Sequence, residues 1–222
     1  AREDHLDFRG EEYSRLFEHS CASAFQSGVW LDNVYRKLPP VRGAQPCIVT
    51  VRTGDDSQLV GVLPLVRRRT GPARIVEFAD LGVSDYALPV LHADHADAIR
   101  ATPGLSANVR SALGGFDLLQ VERAQVTQAD VDLIHGAKSS EHRYGTHVVH
   151  LDQDFQSWRE SLNPSLARRL DKQTKRLRSR GGANLRQVQD VDELDPILQE
   201  LGRFRAGRFG ERGGTDLFQE PD

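Results

Sequence analysis

Two β-branched apolar runs, PCIVTVRTG (residues 46–54) and SQLVGVLPLVRRR (57–69), meet across the turn-forming tetrapeptide GDDS. Strand, turn and strand at this spacing predict a hairpin, which commits the first half of the chain to a sheet. The runs ARIVEFADLG (73–82) and DYALPVLH (85–92) add short strands at once, so the sheet is expected to meander and to be mostly antiparallel. Ahead of it, residues 11–38 read as helix, with Tyr13, Leu16, Phe17 and Ser20 on one face and Val29, Trp30, Val34 and Leu38 following at similar spacing. Pro39 and Pro40 are expected to stop that helix.

Beyond the hairpin, helix and strand alternate. Residues 96–113 are helical with a break at TPG (102–104), and FDLLQVERA (116–124) reads as a buried strand. QADVDLIHGA (128–137) is a short helix, YGTHVVHLD (144–152) a strand, and DFQSWRESL a helix capped by Asp154 with Phe155, Trp158 and Leu162 on one face. This order defines an α/β (α+β) fold, a largely antiparallel mixed sheet flanked by helices. At 222 residues, 38% hydrophobic and 27% charged, the chain has enough apolar material to collapse.

The longest apolar stretch, LVGVLPLV (59–66), is too short to cross a bilayer, and the charged N-terminus is no signal peptide. With Cys21 and Cys47 as the sole cysteines there is no disulfide framework, so a reducing, cytoplasmic setting is expected. Methionine is absent even at position 1, and ERGGTDLFQEPD ends the sequence abruptly, so a longer protein is expected.

Residues 163–185, NPSLARRLDKQTKRLRSRGGANL, open a second unit. The expected division is 1–162 and 163–222. Pro164 and Ser165 start a helix and Gly181-Gly182 close it. ANLRQVQ (183–189) follows as a strand, then a helix capped by Asp195, with Leu194, Ile197, Leu198, Leu201 and Phe204 forming a packed face. Turning about 100° per residue, Leu166, Leu170 and Leu177 fall in one stripe of the basic helix. Arg168, Arg169, Lys172, Lys175 and Arg176 gather on the other side. Seven basic residues less Asp171 give this stretch +6, which leaves −9 for the rest of a chain of net charge −3.

That asymmetry admits two uses, a solvated face balanced by acidic neighbours or a surface for an anion. A nucleic-acid role is disfavoured: the stretch has no interleaved aromatics, no zinc-finger spacing and no dimerisation heptads, and the chain is net acidic. RSRGGA (178–183) matches an R-x-x-G-x-A pyrophosphate pattern, yet its glycines end a helix, and a phosphate cradle must open one. His147 and His150, three apart on a strand, face opposite ways, while His92, His95, Asp94 and Asp97 lack a further spaced ligand. No metal is expected. SDYALP (84–89) places Asp85 beside Tyr86, either as a capped, half-buried pair or as a base and a phenol donor acting on an amine or hydroxyl.

The order SGVWLDNVYRKL, LVGVLPLVRRR, RIVEFADLGVSDYALPVL, FDLLQVER and FQSWRESLNPSLARRLDKQTKRLRSRGGANLRQVQDVDELDPILQELGRFRAGRFG resembles the CelD/BcsL-type acetyltransferases. These belong to the GNAT superfamily and are related to the FemABX-like aminoacyltransferases. The resemblance runs from about residue 28 onward and implies two GNAT-like folds in tandem, the basic helix opening the second. It implies acetyl-CoA or another acyl-CoA as co-substrate, bound mainly in that second fold. A small-molecule or glycan acceptor and a place in cellulose or cell-envelope synthesis follow from the same resemblance. On the chemistry of the residues themselves, Asp85 and Tyr86 are the expected catalytic pair, and Arg168, Arg169, Lys172, Lys175 and Arg176 the expected anion-binding face. A catalytically silent binding module of the same fold is the rival expectation.

Overall fold

The computed structural model describes residues 1–54, 57–121, 154–184 and 186–212. The chain divides into two units, Ala1–Tyr144 and Gly145–Asp222, the division falling ahead of the expected 162/163 boundary.

In the first unit the hairpin forms and does more than the sequence suggests. Strands β3 (Ile48–Arg52) and β4 (Leu59–Leu63) pair antiparallel, Val49 opposite Leu63, with a register slip at Val51/Arg52. The two arms continue as β2 (Ala44–Pro46) and β5 (Leu65–Thr70), which also pair, but in a different sheet. The bend falls at Cys47 and Pro64. Proline has no N–H for a ladder, while the Cys47 amide still reaches the Leu65 carbonyl at 2.9 Å. One long hairpin thus bends from one sheet into the next.

The first sheet runs β1-β3-β4-β7, all antiparallel, with β1 at Arg2–Glu3 and β7 at Val90–Leu91. The second runs β2-β5-β6-β8. In it β6 (Ala73–Phe78) is antiparallel to β5 and parallel to β8 (Leu118–Gln120). Among the described strands that is the single parallel pairing. Helices α1 (Glu11–Glu18) and α2 (Gly28–Val41) supply Tyr13, Leu16 and Leu31 to a core with Ile48, Leu59, Val62 and Val90. Helix α3 (Ala93–Ala101) packs Ile99 against Val60, and α4 (Leu105–Leu113) packs Val109 and Leu113 against Val49, Leu63 and Val76. With apolar side chains from β4 entering both of these cores, LVGVL is buried throughout, where a one-sided strand would alternate.

Several expectations are corrected. Residues 11–38 are two helices: between them a 3-10 turn (Ala24–Gln26) is held by a capping box, the Ser23 amide donating to Gln26 Oε1 at 3.1 Å. Pro39 and Pro40 lie inside the last turn of α2, which stops at Val41, before the loss of their two donors accumulates. Val29 is exposed, and Leu31 is buried in its place. Residues 85–89 form no strand, and β8, last of its sheet among the described strands, has Leu118 exposed rather than buried. The break at TPG is as expected, Gly104 taking the left-handed conformation. The segments 128–137 and 144–152, with His147 and His150, lie outside the described residues.

In the second unit α5 (Phe155–Ser161) is capped as predicted, Asp154 accepting from the amides of Gln156 and Ser157 at 2.9 and 3.0 Å. Helix α6 (Pro164–Ser179) has Asn163 as its cap, accepting from Ser165 N, and Pro164 in its first turn. It ends where expected: the Leu177 carbonyl accepts from the amides of Arg180 and Gly182, with Gly181 and Gly182 at positive φ. The described residues of 183–189 are not a strand. Helix α7 (Leu194–Arg212) starts one residue before Asp195, and Asp190 caps the 3-10 turn (Val191–Glu193) that precedes it. The expected packed faces are open: Leu166, Leu170 and Leu177 on α6, and Leu194, Ile197, Leu198, Leu201 and Phe204 on α7, are all exposed.

Candidate functional site

The candidate site lies where β6 ends and the chain loops back toward β7. Phe78 closes β6, and the Ala79 amide donates to the Pro64 carbonyl at 2.9 Å. Asp80 then builds a tight turn: its carbonyl accepts from Val83 N at 2.7 Å, and its Oδ1 accepts from Gly82 N at 3.1 Å. Two consecutive residues of that turn are left-handed, Leu81 at φ 42° and Gly82 at φ 89°. Glycine takes this conformation freely, whereas leucine is strained by about 1–2 kcal/mol. Farther along the loop, Trp30 Nε1 donates to Ser84 Oγ at 3.0 Å and Gln26 Nε2 to the Tyr86 carbonyl at 2.8 Å. The Phe25 ring stands edge-on to Trp30 at 5.1 Å and 6.1 Å from that of Tyr86. The loop is therefore pinned to the 3-10 turn and to the start of α2.

A cavity of about 390 Å³ opens beside this turn, lined by Arg42, Arg68, Glu77, Asp80, Leu81 and Gln120 among others. It sits at the carboxyl ends of the parallel pair β6 and β8, the end of parallel strands at which open α/β sheets place their ligands. Glu77 and Arg68 face each other diagonally across β5 and β6, since Val66 is opposite Glu77. The Arg68 guanidinium grips the Glu77 carboxylate through Nε and Nη2 at 2.6 and 3.1 Å. The wall thus offers two carboxylates and two guanidiniums.

Of the catalytic pair expected from sequence, Asp85 is exposed and Tyr86 half-buried, so neither belongs to the core. Neither lines this cavity, although both stand on the loop that Asp80 begins. Sequence reading missed Glu77, Arg68 and Asp80. The available signal was the ADLG turn after a strand; the Arg68–Glu77 pair needs the register of two strands, which spacing does not supply.

A second cavity, about 610 Å³, is lined by Glu11, Glu12, Arg15, Gln58 and His92. Its charged groups are already engaged. Arg15 pairs with Glu11 at 2.7 Å, and Arg52 holds both oxygens of Glu12. That grip keeps the Glu12 carboxyl below the usual range. His92 is buried and caps α3, its Nδ1 accepting from Asp94 N at 3.3 Å, and its ring stacks on His19 at 5.2 Å. Among the described residues no group of three or more His, Cys, Asp or Glu side chains is placed to hold a metal ion. Cys21 and Cys47 are both free.

The basic helix presents Arg168, Arg169, Lys172, Lys175 and Arg176 on its exposed surface. Asp171, its one acid, is held by Arg159 of α5 at 2.6 and 2.7 Å. No described helix is long and apolar enough to cross a membrane.

Fold and site together define a mixed α/β protein with two small sheets and a polar crevice at the end of a parallel strand pair. Set beside protein-family models, curated proteins and solved structures, the chain matches none of them.

Proposed function

We propose that the protein is a cytoplasmic acyltransferase of GNAT type that moves an acyl group from acyl-CoA to an amine or hydroxyl of a small-molecule or glycan acceptor, in polysaccharide or cell-envelope synthesis. The observation that supports it is the crevice at the carboxyl ends of β6 and β8, where Asp80 and Glu77 meet Arg42 and Arg68. In this reading the crevice takes the acceptor. Asp80, on the strained turn, removes the proton as the acceptor attacks the thioester carbonyl. Glu77, fixed by Arg68, orients the attacking group. Asp85 and Tyr86 line the approach from the exposed side of the same loop. The donor's thioester supplies the acyl group, and CoA leaves as the thiol.

The test measures acceptor-dependent release of free CoA by the protein, with a panel of amines, amino sugars and glycans. Asp80→Asn is expected to lower kcat/KM by about 10²–10⁴, and Asp85→Asn by much less. If no acceptor stimulates CoA release, the reading fails in favour of a catalytically silent binding module.

A further inference from the structure

We infer that α6 is an interfacial helix which docks this protein on an anionic lipid surface. The inference does not rest on the acyltransferase reading.

Three observations carry it. The first is the open stripe: Leu166, Leu170 and Leu177 are 42%, 36% and 51% exposed, and no residue of the helix is buried. At about 100° per residue all three fall within a narrow arc. The second is charge. Arg168, Arg169, Lys172, Lys175, Arg176 and Arg178 are all exposed, and the sole acid of the helix, Asp171, is held by Arg159. The third is the neighbour that this ion pair ties to α6. Helix α5 carries Phe155, 71% exposed, with its ring 5.6 Å from that of Trp158.

Leucines on one side, arginine and lysine on the other and an exposed phenylalanine close by make up the composition of helices that lie in the plane of a membrane surface. Arg169, Arg176 and Arg178 flank the leucine stripe, and their long stems let the guanidiniums reach headgroup phosphates while the leucines sink below them. A 16-residue helix, about 24 Å long, lies flat in this mode and is far too polar to span.

The apolar stripe selects among anionic partners. A nucleic-acid backbone would use the cations but leave three leucines in water, and this helix has no aromatic for base stacking. A second copy docked through the same face would bring two strongly basic helices together. An anionic bilayer satisfies both sides of the helix at once.

The test is co-sedimentation of the 222-residue chain with vesicles of phosphatidylcholine alone and of phosphatidylcholine containing about one quarter phosphatidylglycerol. Binding is expected to the anionic vesicles only and to weaken as salt rises. R169E/R176E is expected to weaken it about tenfold or more. L166S/L170S/L177S, which retains every charge, is expected to weaken it by a comparable factor. Circular dichroism checks that both variants keep their helix, which exposed positions allow. The inference is overturned by any of three results: no binding to the anionic vesicles, undiminished binding by the leucine variant, or preferential retention of DNA or RNA over vesicles at physiological salt. The leucine variant dissociating an oligomer while leaving vesicle binding intact would overturn it too.

Discussion

A single atom decides whether α2 can sit where it does. A Cβ built on Gly28, the first residue of α2, would lie 2.2 Å from the Phe8 carbonyl oxygen, and backbone cannot swing aside as a side-chain end can. Gly28→Ala is therefore expected to destabilise the first unit by about 1–3 kcal/mol, read as a lower denaturant midpoint with unchanged slope. Gly202, inside α7 with nothing within 4 Å of its would-be Cβ, makes the contrast: alanine there should be neutral or raise helicity. Charge acts at this scale as well. Arg52 lowers the Glu12 carboxyl, so the pair contributes stability above the unfolded glutamate value of about 4.3 and loses it as pH falls through the lower folded value. Glu12→Gln should flatten the acid side of the stability profile and cost less than about 1 kcal/mol at neutral pH, because the carboxylate is half exposed. Denaturant midpoints from pH 7 down to about pH 3 check both statements.

At the scale of elements, the sequence was most legible where start and stop chemistry is local. Asp154, Pro164, the Gly181-Gly182 pair and Gly104 each stand where their chemistry predicts, because each acts on its own turn. Ser23 and Gln26 carry the same kind of signal, S-x-x-Q marking a helix start, but it lies inside an apparent helical period that masks it. Pro64 lies inside one continuous apolar run, LVGVLPLV, which predicts a single strand. Its role as the bend between sheets depends on the matching break at Cys47 on the other arm of the hairpin, which no single run contains. The leucine stripe of α6 shows the limit of periodicity: it establishes that a face is apolar and leaves open whether anything covers it. Were Leu170 packed, an aspartate there would cost a few kcal/mol. With the side chain exposed as it is, Leu170→Asp is expected to change stability by no more than about 0.5 kcal/mol. A melt of that variant beside wild type distinguishes the two.

Across the whole molecule, what was legible was class rather than connection. The apolar runs foretold a mostly antiparallel mixed fold, but the crevice was hidden, because Arg68, Glu77, Asp80 and Gln120 meet only through the registers of β5, β6 and β8. The distribution of burial carries the larger consequence. Every buried hydrophobic side chain among the described residues belongs to Ala1–Tyr144, where Tyr13, Leu63, Leu65 and Val76 sit at the centre of helix-covered sheets. In Gly145–Asp222 no described helix side chain is buried, and the backbone hydrogen bonds of these helices lie close to water. Local opening free energy follows buried apolar contact, so the two units should differ in protection by orders of magnitude. Amides of β3, β4 and β5 are expected to exchange with deuterium only through global unfolding, while those of α6 and α7 exchange through local opening within the first minutes. Mass spectrometry of peptic fragments reads this directly. Adding anionic vesicles should then slow exchange in α6 without altering β3 to β5, because docking adds contacts to that helix alone. Uniform protection across both units in the absence of vesicles would mean that the leucine faces are covered in solution.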